Sequence, residues 1–485
     1  MPNEPPALPD RSGIRRTTSR PFLWCTVLAA VTVFAPSAAA GDAVEGTWQS
    51  IGYDLALAIE GDHFALYETT PIGNLKVDQG DLAKLRSLAG TMQLDASEHL
   101  ETQDPTSIAP IAWKRVENLP EASRLTVDDD ARNPLRAFDI VWHTFNNNYA
   151  FFELRDLDWQ KARDTFRPQL TAESTDAELF EVLAKMLAAL EDNHVELNAP
   201  GFDFDRHRTL PNVPLVHAWQ RQHASSTQDE DLMTFIRGKY GEYVETSAKL
   251  IAAQMVDGPH RGADGKLVWG MLPDEIGYLG IRSMAGFVSD DDAPPEQHLG
   301  ALDKALDRAM DDLAGARAMI VDVRFNGGGW DPAAVRIASR FADRRRPAFT
   351  KKARTPDGFT PKHTVYVQPS GPRQHTRPVT LLTSPMTASA AEIFVFCMNA
   401  LPHVQQAGMP TMGIHSDQLM RHLPGGWSFS LSNEIYATID GDVYEKVGIP
   451  PVAPVPMFST DDFAGNQDAV VEKARALASH AADKH

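Results

Sequence analysis

Two points in the C-terminal half of the chain join an apolar run to a helix pattern and leave chemically useful atoms at the junction. Residues 318–323 (AMIVDV) are apolar up to Asp322 and lead into Arg324, Phe325, Asn326 and three consecutive glycines, 327–329. Glycine lacks a Cβ and adopts positive φ freely, so the triple can bring backbone N–H groups close to a ligand. The same triple also suits a plain tight turn. Residues 379–383 form a second buried-strand pattern, which runs through Ser384, Pro385, Met386, Thr387 and Ala388 to Ser389. A helix pattern starts at about Ala390. A hydroxyl there lies against unpaired helix-end N–H groups that favour developing negative charge, although a serine in that place can simply cap the helix. Both junctions are of the kind where open α/β sheets place their sites.

A serine hydroxyl is a weak nucleophile at neutral pH and needs a base, most often histidine. Sixteen histidines are available. His194 follows a helix pattern whose start, Thr175 to Glu178, has the form of a capping box, and whose apolar stripe is Leu179, Val182, Leu183, Met186, Leu187 and Leu190. That helix is expected to end at Asp192, Asn193 and His194; a histidine there also fits a partner for the helix dipole. Zinc-protease HExxH, P-loop, GxGxxG and GxSxG patterns do not occur. Asp290, Asp291 and Asp292, followed by Pro294 and Pro295, read as a solvated loop.

The elements around these residues divide the chain into five stretches. Residues 1–40 read as an export signal: Arg11, Arg15, Arg16 and Arg20, then an apolar run over 21–35, then Ala38, Ala39 and Ala40 ahead of a cleavage point before Gly41. Removing that segment, which carries four Arg against Glu4 and Asp10 (net +2), takes the formal charge from −19 to −21. A periplasmic or secreted protein with no membrane span after cleavage is the expectation. Residues 41–130 read as a β-rich domain, with Gly61-Asp62 as a hairpin turn between alternating runs at 55–59 and 63–67. Residues 131–200 read as a helical domain opening at Asn133-Pro134, a good cap followed by proline at the first helical position. Residues 201–265 read as a connector with some helix over 231–255, and 266–485 as an α/β core in which strands and helices alternate.

Composition limits the function classes. With 43% hydrophobic and 23% charged residues over 485, the chain can build a sizeable core of about three compact units. The acidic balance disfavours a nucleic-acid partner, since phosphate binding needs a basic surface. Two cysteines, one of them Cys25 within the signal, leave Cys397 alone and rule out an internal disulfide or a multi-cysteine zinc site.

Six blocks, in order, resemble the S41 serine peptidases, the family of C-terminal processing and tricorn-core proteases. They are Trp142 with Tyr149 to Phe152 and Asp158-Trp159; Leu190 to His194; Asp322 to Gly329; Thr387 to Glu392; Gly408 to Gly413; and Tyr444 to Pro451. The resemblance spans about 133–460. It implies a crotonase/ClpP-like α/β catalytic core with an N-terminal β-rich domain and a helical domain. Of the family's two catalytic solutions, Ser–Lys needs a lysine shortly after the G-x-P-T-x-G block, where Ile414 and His415 stand instead. The tricorn-like solution fits: Ser389 as nucleophile, His194 as base and Glu445 as acid. Asn193 stands where a relaying serine is usual, and Val452 where aspartate is. Backbone N–H groups of Ala390 and of Gly328 or Gly327 would form the oxyanion hole.

The resemblance thus implies an exported serine peptidase acting on peptide or protein substrates, without metal or organic cofactor, and with a homo-oligomer open. Two rivals use the same scaffold: a non-catalytic ligand- or peptide-binding protein, and a coenzyme-A enzyme of the crotonase kind. Fold alone does not separate them. Ser389, His194 and Glu445 together favour hydrolysis.

Overall fold

The computed structural model describes residues 44–119, 124–126, 133–204, 211–226 and 230–484. The expected export signal lies outside them. No helix among the described residues is long and apolar enough to cross a membrane.

The N-terminal part is an eight-stranded sheet in which neighbouring strands run antiparallel, apart from a parallel pairing of Gly73–Asp81 with Arg124–Thr126 at one edge. The Leu55–Glu60 and His63–Thr70 strands pair as a hairpin through Gly61, whose φ of 59° is the conformation glycine supplies without strain. Alternation works as the sequence predicts: Trp48, Leu57, Ile59, Phe64, Leu100 and Trp113 fill one core with Leu85 and Leu88 of the Leu82–Ala89 helix.

The helical part begins where expected. Asn133 caps Pro134–Asn148 by accepting the Arg136 N–H, and Thr175 and Glu178 make a reciprocal capping box on Asp176–Ala188. Trp142 and Trp159 lock the first of these helices to Trp159–Phe166, each indole N–H donating to the other's carbonyl at 3.0 Å. The second long helix ends at Ala188, earlier than the sequence reading placed it. Leu190 and Glu191 close a turn, with Glu191 at φ 50°, so His194 sits on a loop just before the strand Glu196–Asn198.

That short strand pairs with Trp427–Ser432, which in turn pairs with Gln418–Leu423. Leu423, Trp427, Phe429 and Leu431 therefore complete the apolar core of the helical part. Residues more than two hundred positions away in sequence supply one wall of the domain that carries His194.

A seven-stranded sheet forms the C-terminal core, in the order Asp257–Gly262, Leu267–Leu272, Ile276–Ile281, Ala318–Asp322, Val379–Thr383, Val404–Gly408 and Ala453–Pro454. The first two pairings are antiparallel and the rest parallel. Its first strand lies inside the stretch that the sequence reads as a connector. Met319 and Val321 face a core shared with the helices Pro295–Asp312, Asp331–Ala338 and Ala390–Asn399. Ala318 and Ile320 face the opposite core, shared with Leu232–Gln254 and Ala469–Ala482. Burial on both faces explains why these strands read as continuous apolar runs.

Candidate active site

The two strand-to-helix junctions are tied to each other by buried hydrogen bonds. The Thr387 hydroxyl donates to the Val323 carbonyl at 2.8 Å, the Ser384 hydroxyl donates to the Arg324 carbonyl, and the Ala388 N–H donates to the Asn326 carbonyl at 3.1 Å. Arg324 has no exposed surface, and its guanidinium bridges Asp322 at 2.7 Å and Asp468 at 3.1 Å. Tyr278 and Ser247 donate to the same Oδ2 atoms of Asp322 and Asp468 that the guanidinium contacts. Such a charge is tolerated inside because every partner is present. The glycine loop is thus held from behind by an ion triad, while Asn326 holds it from within, donating to the Ile281 carbonyl and accepting the Gly328 N–H at 2.9 Å.

Ser389 caps the helix Ala390–Asn399 with φ 55° and ψ −129°. A non-glycine residue in that region stores strain and needs its surroundings to impose it. Here Glu392, three residues on, accepts the Ser389 N–H at 3.1 Å. The same carboxylate takes the Thr411 hydroxyl at 2.6 Å and the amides of Gly413 and Ile414 at 2.8 and 2.9 Å. The elbow is therefore bolted to the 408–413 block. That block interlocks with 444–451: the Thr411 hydroxyl accepts the Ile449 N–H, and a Cβ on Gly448 would fall 2.0 Å from the Thr411 carbonyl oxygen.

Of the expected oxyanion donors, Gly328 and Ala390 lie at Ser389. A Cβ on Gly328 would stand 2.7 Å from the Ser389 Cβ and 3.1 Å from the Ala390 nitrogen. The Gly328 N–H itself is engaged with Asn326. The Gly327 and Ala390 amides have no acceptor among the described residues.

His194 is buried, with 7% exposure. Its backbone is fixed on two sides: its N–H donates to Asp192 at 2.9 Å, and its carbonyl accepts the Ser430 hydroxyl at 2.7 Å and the Gln418 amide at 3.2 Å. The neighbouring Asn193 amide reaches the Met412 sulfur at 4.0 Å, and the Met412 N–H donates to the Thr387 carbonyl. Through Met412 the histidine loop rests on the segment leading to Ser389. No hydrogen bond joins Ser389 to His194 directly; such bonds are often long before substrate binds.

Glu445 is 2% exposed, and its Oε2 accepts the amides of His415 at 2.8 Å and Ser416 at 3.4 Å. It is not hydrogen-bonded to His194: Nδ1 of His194 and Oε1 of Glu445 are both buried without a hydrogen-bond partner. The closest charge to that Glu445 oxygen is Arg155, at 3.7 Å, which also stands 3.4 Å from Asp192. Asp192 accepts the Tyr149 hydroxyl at 2.8 Å.

Two side chains in this network were not assigned a role by sequence reading. Arg155 lies between the aromatic residues 149–152 and Trp159, where it looks like a surface charge. His415 drew notice only because it is not a lysine. It stands between two glutamates, Nε2 3.2 Å from Glu392 and Nδ1 3.7 Å from Glu445. Burial alone would lower its pKa, but the Glu392 charge and then Glu445 outweigh burial and hold it above the ordinary histidine value.

A further cluster begins directly after the glycines. Burial and the nearby Asp417 push the Asp331 carboxyl up to about 7, against the pull of Lys351. Tyr436 donates to Asp331 at 3.0 Å, and Lys351 pairs with Glu434 at 2.8 Å. No group of side chains suited to a metal ion occurs among the described residues.

An α/β core with a strained serine at a helix start, a glycine loop pressed on it and a buried histidine loop alongside is an arrangement suited to serine-hydrolase chemistry. Residues 275–455 match the model of peptidase family S41, and residues 131–188 match that of the tricorn protease C1 domain. The S41 match takes in the glycine loop, Ser389 and Glu445, and the tricorn match covers the capped helices ahead of His194.

Among curated proteins the chain is similar to the carboxy-terminal processing protease CtpA of Bacillus subtilis (strain 168), with 28% identity over 150 residues. That stretch is 30% of this chain and 31% of the relative, so less than a third of the relative's length is matched. Among solved structures, a putative peptidase from Parabacteroides merdae aligns with a TM-score of 0.54 at 25% identity, covering 71% of this chain and 96% of that one. Mature CPAF complexed with lactacystin has the same fold at 11% identity and a TM-score of 0.51, covering 73% and 99%.

Proposed function

We propose that the protein is an exported serine peptidase in which Ser389 is the nucleophile, His194 the general base and Glu445 the acidic member. The observation that carries this reading is the backbone of Ser389, held at φ 55° on a helix N-terminus with Gly328 packed against it. Nothing in a mere helix cap requires that strain.

In the proposed cycle His194 takes the Ser389 proton as Oγ attacks the scissile carbonyl, then delivers it to the leaving amine. The oxyanion is received by the Ala390 N–H, first of the helix, and by a glycine amide. Gly327 can donate without losing another bond, whereas Gly328 must share its N–H with Asn326. Loss of one such donor typically costs roughly 100- to 1,000-fold in rate. Glu445 stabilises the imidazolium through an intermediate group, a role that suits Asn193, whose amide can both donate and accept. Export rests on the basic, apolar and Ala-rich succession of residues 1–40.

The test is fluorophosphonate labelling of the purified protein followed by peptide mapping, with Ser389→Ala as control and a peptide-library screen as the companion assay. An adduct on Ser389 with peptide turnover supports the reading. A folded protein that takes no label and cleaves no peptide favours the binding-protein alternative instead. N-terminal sequencing of the exported form tests cleavage before Gly41.

A further inference from the structure

Five buried ionisable side chains, acidic and basic in alternation, link the Ser389 backbone to the His194 backbone. Glu392 holds the Ser389 N–H; His415 stands next to Glu392; Glu445 stands next to His415; Arg155 stands next to Glu445; and Asp192, beside Arg155, holds the His194 N–H. His415 is the only member that can change charge near neutral pH. We propose that His415 is a positioning residue, a buried imidazolium that clamps Glu392 to Glu445 and so fixes the Ser389 elbow against the acidic member of the site.

The groups facing His415 are few. Glu392 approaches from the nucleophile helix and Glu445 from the 444–451 segment, with Arg155 behind Glu445. The Phe396 ring covers the remaining side, its centroid 5.2 Å from the imidazole. With 2% exposure, His415 has no solvent to take over from its partners. Protonated, it places one positive charge between two carboxylates. Deprotonated, it withdraws that positive charge and leaves the two carboxylates to their amide and hydroxyl donors, with Arg155 the opposite charge beside Glu445.

The consequence is an alkaline limit on activity. The folded-state pKa of His415 is raised, so its contribution is complete below the unfolded value and is lost as pH rises through the folded one. The clamp touches neither substrate nor the attacking oxygen. It acts by keeping Glu392, which fixes the strained serine, and Glu445 in one geometry. A displacement of about 1 Å in such a site can cost on the order of 100-fold in rate.

This inference rests on Ser389 being the nucleophile only for its activity readout. The first measurement is the titration of the His415 imidazole by NMR of protein labelled at histidine Cε1, its resonance assigned by its absence in His415→Gln. Titration above the ordinary value of about 6.5 is expected; titration at or below it overturns the proposal, whether or not Ser389 reacts.

The second is the rate of fluorophosphonate labelling of Ser389 across pH 6–10. Wild type should lose rate through the pH at which His415 titrates. His415→Gln should react 10- to 100-fold more slowly at neutral pH without that alkaline limb, and His415→Lys should recover part of the rate with the limb moved upward. A folded His415→Gln that keeps the wild-type rate and limb overturns the clamp. Should it not fold, Glu392→Gln takes its place: the histidine resonance whose titration it lowers assigns His415, and the variant enters the rate series. Removing that facing charge should bring the limb down by about one pH unit or more, and an unmoved limb counts against the proposal. Absence of labelling in wild type at every pH would instead remove the nucleophile reading, with the imidazole titration still deciding the clamp.

Discussion

Gly328 packs against Ser389 so closely that a Cβ on the glycine would lie 2.7 Å from the serine Cβ and 2.9 Å from the Ala388 carbonyl oxygen. Its φ of 105° adds a second reason why only glycine fits. Gly327, one residue earlier, has open space around its would-be Cβ. The two neighbours should therefore answer differently to the same substitution. Gly328→Ala should reduce fluorophosphonate labelling of Ser389 by at least about 100-fold, because the added methyl displaces the serine and the Ala390 amide beside it. Gly327→Ala keeps its backbone N–H and should stay within about tenfold of wild type. Equal losses would mean that the close approach of Gly328 is irrelevant to the reaction.

The three proposed catalytic side chains should not contribute independently. Ser389→Ala should abolish turnover with folding intact, and His194→Ala should come close to it, because such groups act as a unit. Glu445→Gln should cost less, provided that Asn193 still orients the imidazole. The carboxamide also spares the Arg155 environment better than truncation, which would strip the His415 and Ser416 amides of their acceptor. Peptide turnover with circular dichroism on each variant checks the ranking. Full activity in both the Ser389 and His194 variants would place the site elsewhere.

Acid should undo the glycine loop through Asp322. Burial would raise its pKa, but the adjoining Arg324 charge and hydrogen bonds outweigh that and hold it below the ordinary carboxylate range. A group depressed in the folded state contributes stability that is complete above its unfolded pKa and is lost as pH falls through the folded one. The Asp322 contribution should thus be constant across neutral pH, and thermal melting should fall steeply below about pH 4. Asp322→Asn should melt lower at neutral pH, by about 3–5 kcal/mol for a broken buried pair, and lose part of that acid limb. An unchanged limb would assign acid sensitivity to other carboxylates.

The parts of the fold that depend on local signals were legible in the sequence. The Gly61 hairpin and the Asn133 and Thr175 caps follow from turn and capping chemistry within a few residues, and the Val379–Thr383 strand from its apolar run. The long-range parts were not. Nothing near His194 indicates that its strand partner is Trp427–Ser432, because the strand it precedes is three residues long and its pairing is decided by residues beyond position 400. The helix before it was read too long because Leu190 continues the apolar stripe, although it is already in the turn. His415 escaped for a different reason. A histidine between two glutamates distant from it in sequence has no local pattern, and only the folding of 408–413 onto 444–451 assembles it.

The Trp427–Ser432 strand gives a last prediction, in which stability and activity rank two adjacent substitutions oppositely. Phe429 is fully buried and stacks on Phe145 with ring centroids 6.0 Å apart. Phe429→Ala should cost about 3–5 kcal/mol, the usual range for a large aromatic removed from a core. Ser430 points to the other face, where its hydroxyl donates to the His194 carbonyl at 2.7 Å. Ser430→Ala should cost only about 1–3 kcal/mol, since Gln418 still serves that carbonyl. It should nonetheless slow Ser389 labelling more than Phe429→Ala does at a temperature where both variants are folded, because it frees the loop that aims the base. Denaturant melts and labelling rates on the two variants check both orders. If the rate losses simply follow the stability losses, the hairpin is a wall of the helical part and has no part in placing His194.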